Sequence, residues 1–482
     1  MTSRRPCDER FGWRMRVRRS ERKPWGECVL NSSGSFVASD DKRRAVPTLV
    51  DEATVADIGA HAPALELRNR RARRRDSVRI AFYSHDTLGL GHTRRNLLIA
   101  TALTRIGMQV DILLITGTHA ARQFALPPGA DCLTLPSLRK DLDGSYASRS
   151  LDMPLAEIVD LRSRSIWAAL KAFKPDLFVV DNVARGAAGE LDLSLRKLAK
   201  KARTRCVLGL RDIQDAPEVA RSQWASQRTA ETLANYYDAV WIYGDPDVHA
   251  TLDGRDIPSS LRDSIRYLGY FDPRVRIEPH ERLSDEASAI VSWASGRILL
   301  CLVGGGQDGW RLADAFARVT FAPCERGVLV LGPFMHAEAR RTLHAVAAVR
   351  HDLRVVDFLS EPAELLPYAD RVISMGGYNS VLEALAYERP LLVVPRVEPR
   401  QEQLFRAMRL REMGLLDVVH PDALDSRALE AWLRRDVASP AARTRLDFAA
   451  AERLQPAIED VLGRPLVPRG PRQSTKEDHV VD

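Results

Sequence analysis

Residues 371–403 constrain this chain more than any other stretch. An apolar run, Arg371–Ser374, meets Gly376-Gly377; a segment with a 3.6-residue period follows, Pro390 stops it, and Leu391–Val394 is apolar again. Strand, glycine turn, helix and strand in that order predict a βαβ unit whose turn faces a ligand. Glycine lets the backbone approach a ligand closely, Asn379 or Ser380 is placed to cap the helix, and Glu383 sits one turn inside. A carboxylate there can hold a ribose diol. Ser380-x-x-Glu383 also has the spacing of a capping box, in which the glutamate folds back on the helix start.

The alternation extends over most of the chain. Strands are expected at Val78–Ser84, Gln109–Thr116, Asp176–Asp181, Arg205–Arg211 and Ala239–Tyr243, with helices that include Thr93–Ile106, Leu155–Phe173 and Ala187–Lys201. A second set of strands is expected at Ile298–Val303, Val328–Leu331, Arg354–Phe358, Arg371–Ser374 and Leu391–Val394. These runs are apolar almost throughout, so both sheet faces are covered, as in α/β doubly wound parallel sheets. Two Rossmann-like domains are expected, at 77–270 and 297–465, joined by a connector at 271–296. Ligands in such sheets bind beyond the carboxyl ends of the strands. The turns after Val303, Phe358 and Ser374 should then line one wall of a cleft, and the turn after Ser84 the other.

Net charge excludes less than it first suggests. Residues 1–76 hold 18 Lys plus Arg against 11 Asp plus Glu, which is the whole of the chain's net +7. This leader reads as a solvated, disordered segment, with an electrostatic tether to anionic lipid or nucleic acid as the alternative. The body carries no signature of a specific nucleic-acid partner. With no apolar run of about 18 residues and no apolar stretch following the arginine-rich start, a cytoplasmic protein is expected, with peripheral membrane contact only through the leader. The six cysteines include no Cys-x-x-Cys pair, so no zinc site is expected. Residues 466–482 read as a disordered tail.

Four turns could carry chemistry. Leu302–Gly309 follows a strand and opens a helix, so its amides and the helix dipole can receive a diphosphate; it is neither a Walker loop nor Gly-x-Gly-x-x-Gly. Glu402 and Gln403 pair an acceptor with an amide, which suits sugar hydroxyls as well as it suits a solvated helix start. Ser84-His-Asp-Thr-Leu-Gly-Leu-Gly-His92 opens the cleft-facing helix of the first domain. His92 at the positive helix end would be held neutral and able to take a proton from an attacking hydroxyl. His85 and Asp86 are rivals for that role, and His92 could instead contact an acceptor or phosphate, or only cap the helix. Asp212, after another first-domain strand, is a candidate orienter or acceptor ligand.

Together, Gly91-His92, Gly304-Gly-Gly-Gln307, Gly-Gly-Tyr-Asn-Ser-x-x-Glu383, Arg389–Pro395 and Glu402-Gln403 resemble the MurG-like glycosyltransferases, a GT-B family of the glycosyltransferase family 28 type. The resemblance spans Arg79–Leu462 and is strongest over Ile298–Leu416. It implies transfer of a hexose or N-acetylhexosamine from a UDP-sugar with inversion, the UDP-sugar being a co-substrate and neither cofactor nor metal being required. By that likeness Gly305, Gly306 and Gln307 meet the donor phosphates; Gly377, Asn379 and Ser380 belong to the donor-binding set; backbone at Phe358 reads the uracil edge; Glu383 holds the ribose; Glu402 and Gln403 grip the sugar. His92, with Asp86 beside it, matches the catalytic position, and Gly91 and Asp212 lie on the acceptor side. The first loop is poorer in glycine than the family's, so acceptor identity does not carry over. Two other readings share the cleft: a nucleotide-sugar 2-epimerase and a non-catalytic UDP-sugar sensor.

Overall fold

The computed structural model describes residues 77–86, 91–119, 124–140, 145–275 and 283–467. The basic leader, most of the loop before Gly91 and the tail beyond 467 lie outside the described residues. Two parallel sheets form the body. The first runs in the order β3-β2-β1-β6-β7-β8-β9, built from β1 (Val78–Ser84), β2 (Val110–Thr116), β3 (Ala130–Thr134), β6 (Leu177–Asp181), β7 (Arg205–Arg211), β8 (Ala239–Tyr243) and β9 (Ile265–Tyr267). A short antiparallel hairpin, β4 (Leu138–Lys140) and β5 (Tyr146–Ser148), stands apart from it. The second sheet runs β12-β11-β10-β13-β14-β15, from β10 (Arg297–Leu302), β11 (Glu325–Val330), β12 (Leu353–Val356), β13 (Ala369–Ser374), β14 (Leu391–Val393) and β15 (Asp417–Val418).

Each sheet reverses its strand order beside its first strand, at β1/β6 and at β10/β13, and the crevice above such a switch is where doubly wound folds place their ligands. The apolar runs explain the sheets: every residue of β6 and β8 is buried, as strands covered on both faces require. One apolar core passes from the first sheet through Tyr243, Tyr270, Phe271 and Tyr378 into the second, and further clusters cover the remaining faces.

The sequence boundary at 465 does not divide the sheets. The helix Ala450–Leu462 packs against the first-domain helix Gly91–Arg105. Its leading segment bonds to the first domain, with Tyr270 N donating to Asp447 O at 2.7 Å and Asp447 N to the Asp245 carboxylate Oδ2 at 3.0 Å. Gln109 N donates to Val467 O at 3.1 Å, so residues 466–467 are ordered against the first sheet. The final helix thus returns to the first domain. The expected helix Ala187–Lys201 is broken into a 3-10 turn, Ala187–Gly189, and a helix, Asp192–Ala199.

Candidate functional site

The first-domain wall is built at the carboxyl ends of β1, β6 and β7. Asp86, just after β1, accepts from Thr93 N at 3.1 Å, Thr93 Oγ1 at 2.7 Å, Ser84 Oγ at 2.5 Å and Thr116 Oγ1 at 2.9 Å. It caps the helix start and is 3% exposed, so it fastens the turn and is not placed as a base. His92 is the second residue of that helix and lines the cleft. Its Nδ1 hydrogen-bonds Asp181 at the end of β6, which also receives Arg95. A carboxylate only accepts, so Nδ1 is the ring nitrogen that donates to Asp181, with Arg95 Nη2 beside it at 3.2 Å, and Nε2 takes no part in that pair. Burial pushes the Asp181 carboxyl upward, but Arg95 and His92 outweigh it and hold the group well below the usual carboxylate range. His85 stacks near His92, ring centroids 4.8 Å apart.

The second-domain wall is a pair of glycine turns. Gly304 and Gly306 have φ of 64° and 84°, where only glycine sits without strain. A Cβ on Gly306 would meet the Gly332 backbone at 2.9 Å, so the turn after β10 is pressed against the turn after β11. The helix after the first turn starts at Trp310, with Gly309 as its cap. The second turn leads into the helix Tyr378–Ala386, capped by Gly377 and not by Asn379 or Ser380. Glu383 is therefore a full turn and more inside that helix, and the capping-box reading fails on register.

Asn379 Nδ2 donates to Gly91 O across the cleft at 3.3 Å. Glu383, 5% exposed, accepts from Arg94 of the first domain at 3.1 Å, and the same Arg94 nitrogen reaches Glu361 at 3.2 Å. Phe358 meets Phe124 of the first domain edge to face, centroids 6.4 Å apart.

Glu402 and Gln403 open the helix Glu402–Glu412. Glu402 Oε1 accepts from Arg396 Nη2 at 2.5 Å, whereas its Oε2 is buried with no hydrogen-bond partner among the described residues. Burial raises the Glu402 carboxyl, and Arg396, Arg211, Arg406 and Arg400 together bring it below its ordinary value. Gln403 Oε1 accepts from Arg396 N at 2.9 Å, which fixes the amide's orientation and leaves its Nε2 to donate. Gly91, His92, Gly305, Gly306, Gln307, Phe358, Gly377, Asn379, Ser380, Glu402 and Gln403 all line one cleft, open to solvent. Glu383 stands behind that lining, reached through Arg94.

Asp212 is not in the cleft. It is 1% exposed and receives Arg406 Nη2 at 2.9 Å and Tyr270 Oη at 3.1 Å. Asp215 accepts from Gln401 N at 3.0 Å. The loop after β7 thus clamps the two domains together. Sequence reasoning missed Arg94 and Arg211, which line the cleft, and Asp181, buried behind His92. The usable signal for Asp181 and Arg211 was position: each is the polar last residue of a buried parallel strand, where the fold places its ligands.

Residues 299–460 match the glycosyltransferase family 28 C-terminal domain. A 164-residue segment is 30% identical to the UDP-N-acetylglucosamine–N-acetylmuramyl-(pentapeptide) pyrophosphoryl-undecaprenol N-acetylglucosamine transferase of Sorangium cellulosum, covering 32% of this chain and 40% of that protein. The chain therefore spans under half the length of this curated relative. Among solved structures, LpCGTa in complex with UDP aligns over 80% of this chain and 99% of its own, with TM-score 0.54 and 14% identity. The S. aureus MnaA–UDP co-structure aligns over 80% and 97%, with TM-score 0.53 and 12% identity. At such identities the likeness establishes the two-domain GT-B fold and nothing finer.

Proposed function

We propose, from the premise that residues 299–460 form a MurG-like glycosyltransferase family 28 C-terminal domain, that the chain transfers a hexose or N-acetylhexosamine from a UDP-sugar to an acceptor hydroxyl. The observation that carries this reading is the meeting, in one cleft, of the Gly304–Gly306 turn with the Asp181-paired His92. Glycine amides at the carboxyl end of β10 suit a diphosphate. A histidine whose Nδ1 is held by a buried carboxylate suits proton abstraction at Nε2.

In the step so assembled, His92 Nε2 takes the acceptor hydroxyl's proton as its oxygen bonds to the anomeric carbon from the face opposite the leaving group. The sugar–phosphate bond breaks with its electron pair passing to UDP, and the configuration inverts. Backbone amides and neighbouring arginines stabilise the charge that builds on the diphosphate, in the role a metal ion would otherwise fill. Glu383 receives the ribose hydroxyls after exchanging its contact with Arg94, Phe358 meets the base, and Glu402 with Gln403 orients the sugar. UDP-sugar is a co-substrate in this scheme and no cofactor takes part.

The test is incubation of the full chain with UDP-N-acetylglucosamine and a panel of hydroxyl acceptors, followed by NMR. The expected result is an acceptor-dependent β-linked product with release of UDP. Free or 2-epimerised hexosamine without acceptor would point to an epimerase, and saturable binding without turnover across the panel to a sensor.

A further inference from the structure

We propose that Arg211 binds an anionic group of the nucleotide-sugar, beside the buried free oxygen of Glu402, and so sets which anionic donors the cleft accepts. This inference rests on the UDP-sugar reading. Arg94, Arg95 and Arg396 line the same cleft, and each meets a carboxylate: Glu383 and Glu361, Asp181, and Glu402 with Asp308. Arg211 also lines it, but no hydrogen bond or ion pair of its guanidinium exists among the described residues, and its Nε is buried without a partner.

A half-buried cation without an anion is held at a free-energy cost, since desolvation is not offset by Coulombic attraction. Burial is the largest cause, with Arg95 and Arg406 adding to it and Glu402 and Asp181 opposing it, and together they push the group down to about 10. It therefore remains charged at neutral pH. A second, independent observation lies nearby: Glu402 is 4% exposed, and its Oε2 is buried and has no partner among the described residues, while Oε1 is taken by Arg396. Arg211 and Glu402 sense each other's charge yet form no ion pair. A group that offers a hydroxyl to Glu402 Oε2 and an anionic oxygen to Arg211 would satisfy both. A pyranose on a diphosphate offers both, and so does a pyranose with its own carboxylate.

The experiment is calorimetric titration of the full chain and of Arg211→Gln with UMP, UDP, UDP-glucose and UDP-glucuronate. Arg211→Lys, which keeps the charge and loses the fork, serves as a second variant should the first fail to fold. If the anion is the β-phosphate, UDP binding falls by about 10- to 100-fold in the variant while UMP binding is unchanged. If it is a sugar carboxylate, UDP binding is retained, and the wild-type preference for UDP-glucuronate over UDP-glucose disappears in the variant. Either result supports the inference and identifies the group. Unchanged affinities for all four ligands in a folded variant overturn it, leaving the UDP-sugar reading intact. Wild-type protein that binds none of the four overturns that reading and this inference with it.

Discussion

Replacing Asp212 by asparagine tests how the two walls of the cleft are held together. Arg406 is 1% exposed and its guanidinium meets Asp212 Oδ1 at 2.9 Å and Ile213 O at 2.9 Å, with no partner for Nη1 among the described residues. Asp212 is the only carboxylate it touches among the described residues. The substitution leaves a buried guanidinium with neutral acceptors only, a change that typically destabilises by about 3–5 kcal/mol. For the roughly 370 described residues the unfolding entropy is about 0.8 kcal/mol/K, so the thermal midpoint should fall by about 4–6 °C. Differential scanning calorimetry reads this directly. Arg406→Met alone should cost less, because Asp212 keeps Tyr270 Oη and the Ile213 amide as donors. The double variant should be less destabilised than the two single ones summed. An Asp212→Asn midpoint within about 1 °C of wild type would refute the clamp.

Glu383→Ala should weaken UDP binding by about 1.5–3 kcal/mol if the carboxylate holds the ribose; an unchanged calorimetric dissociation constant would leave Glu383 only its contact with Arg94. His92→Ala should lower turnover by about 10²–10⁴-fold with donor affinity nearly intact, and a full-rate variant excludes it as the base. Asp181 is depressed in the folded state, so its stabilising contribution is complete above the unfolded value of about 3.9 and is lost as pH falls through the lower folded value. Asp181→Asn should accordingly flatten the fall of the thermal midpoint below about pH 4, and an unaltered acid slope would contradict this.

The strands that run through the core were legible because burial on both faces writes itself as a continuous apolar run: β1, β6, β7 and β8 lie within a residue of expectation. The edge strand β3 was not legible, because Asp131 and its half-exposed neighbours lack that run. The hairpin β4–β5 was missed too, its strands being three residues each. At the site, the glycine turns and the cleft-lining Glu402-Gln403 pair were visible because their chemistry is local. Asp181 and Arg94 were not, since their partners His92 and Glu383 lie 89 and 289 residues away and only the folded sheets bring them together. Asp86 was misread for a related reason: the hydroxyl of Thr116, one strand over, helps to occupy its carboxylate. Acidic residues in turns are bases only where donors leave them free.

If the second sheet domain receives a uridine diphosphate, crystals soaked with UDP will show it. The diphosphate should lie against the Gly304–Gly306 turn, the base beside Phe358, and Arg94 drawn away from Glu383. A cleft in which side chains occupy that space and no nucleotide enters at saturating concentration would contradict it.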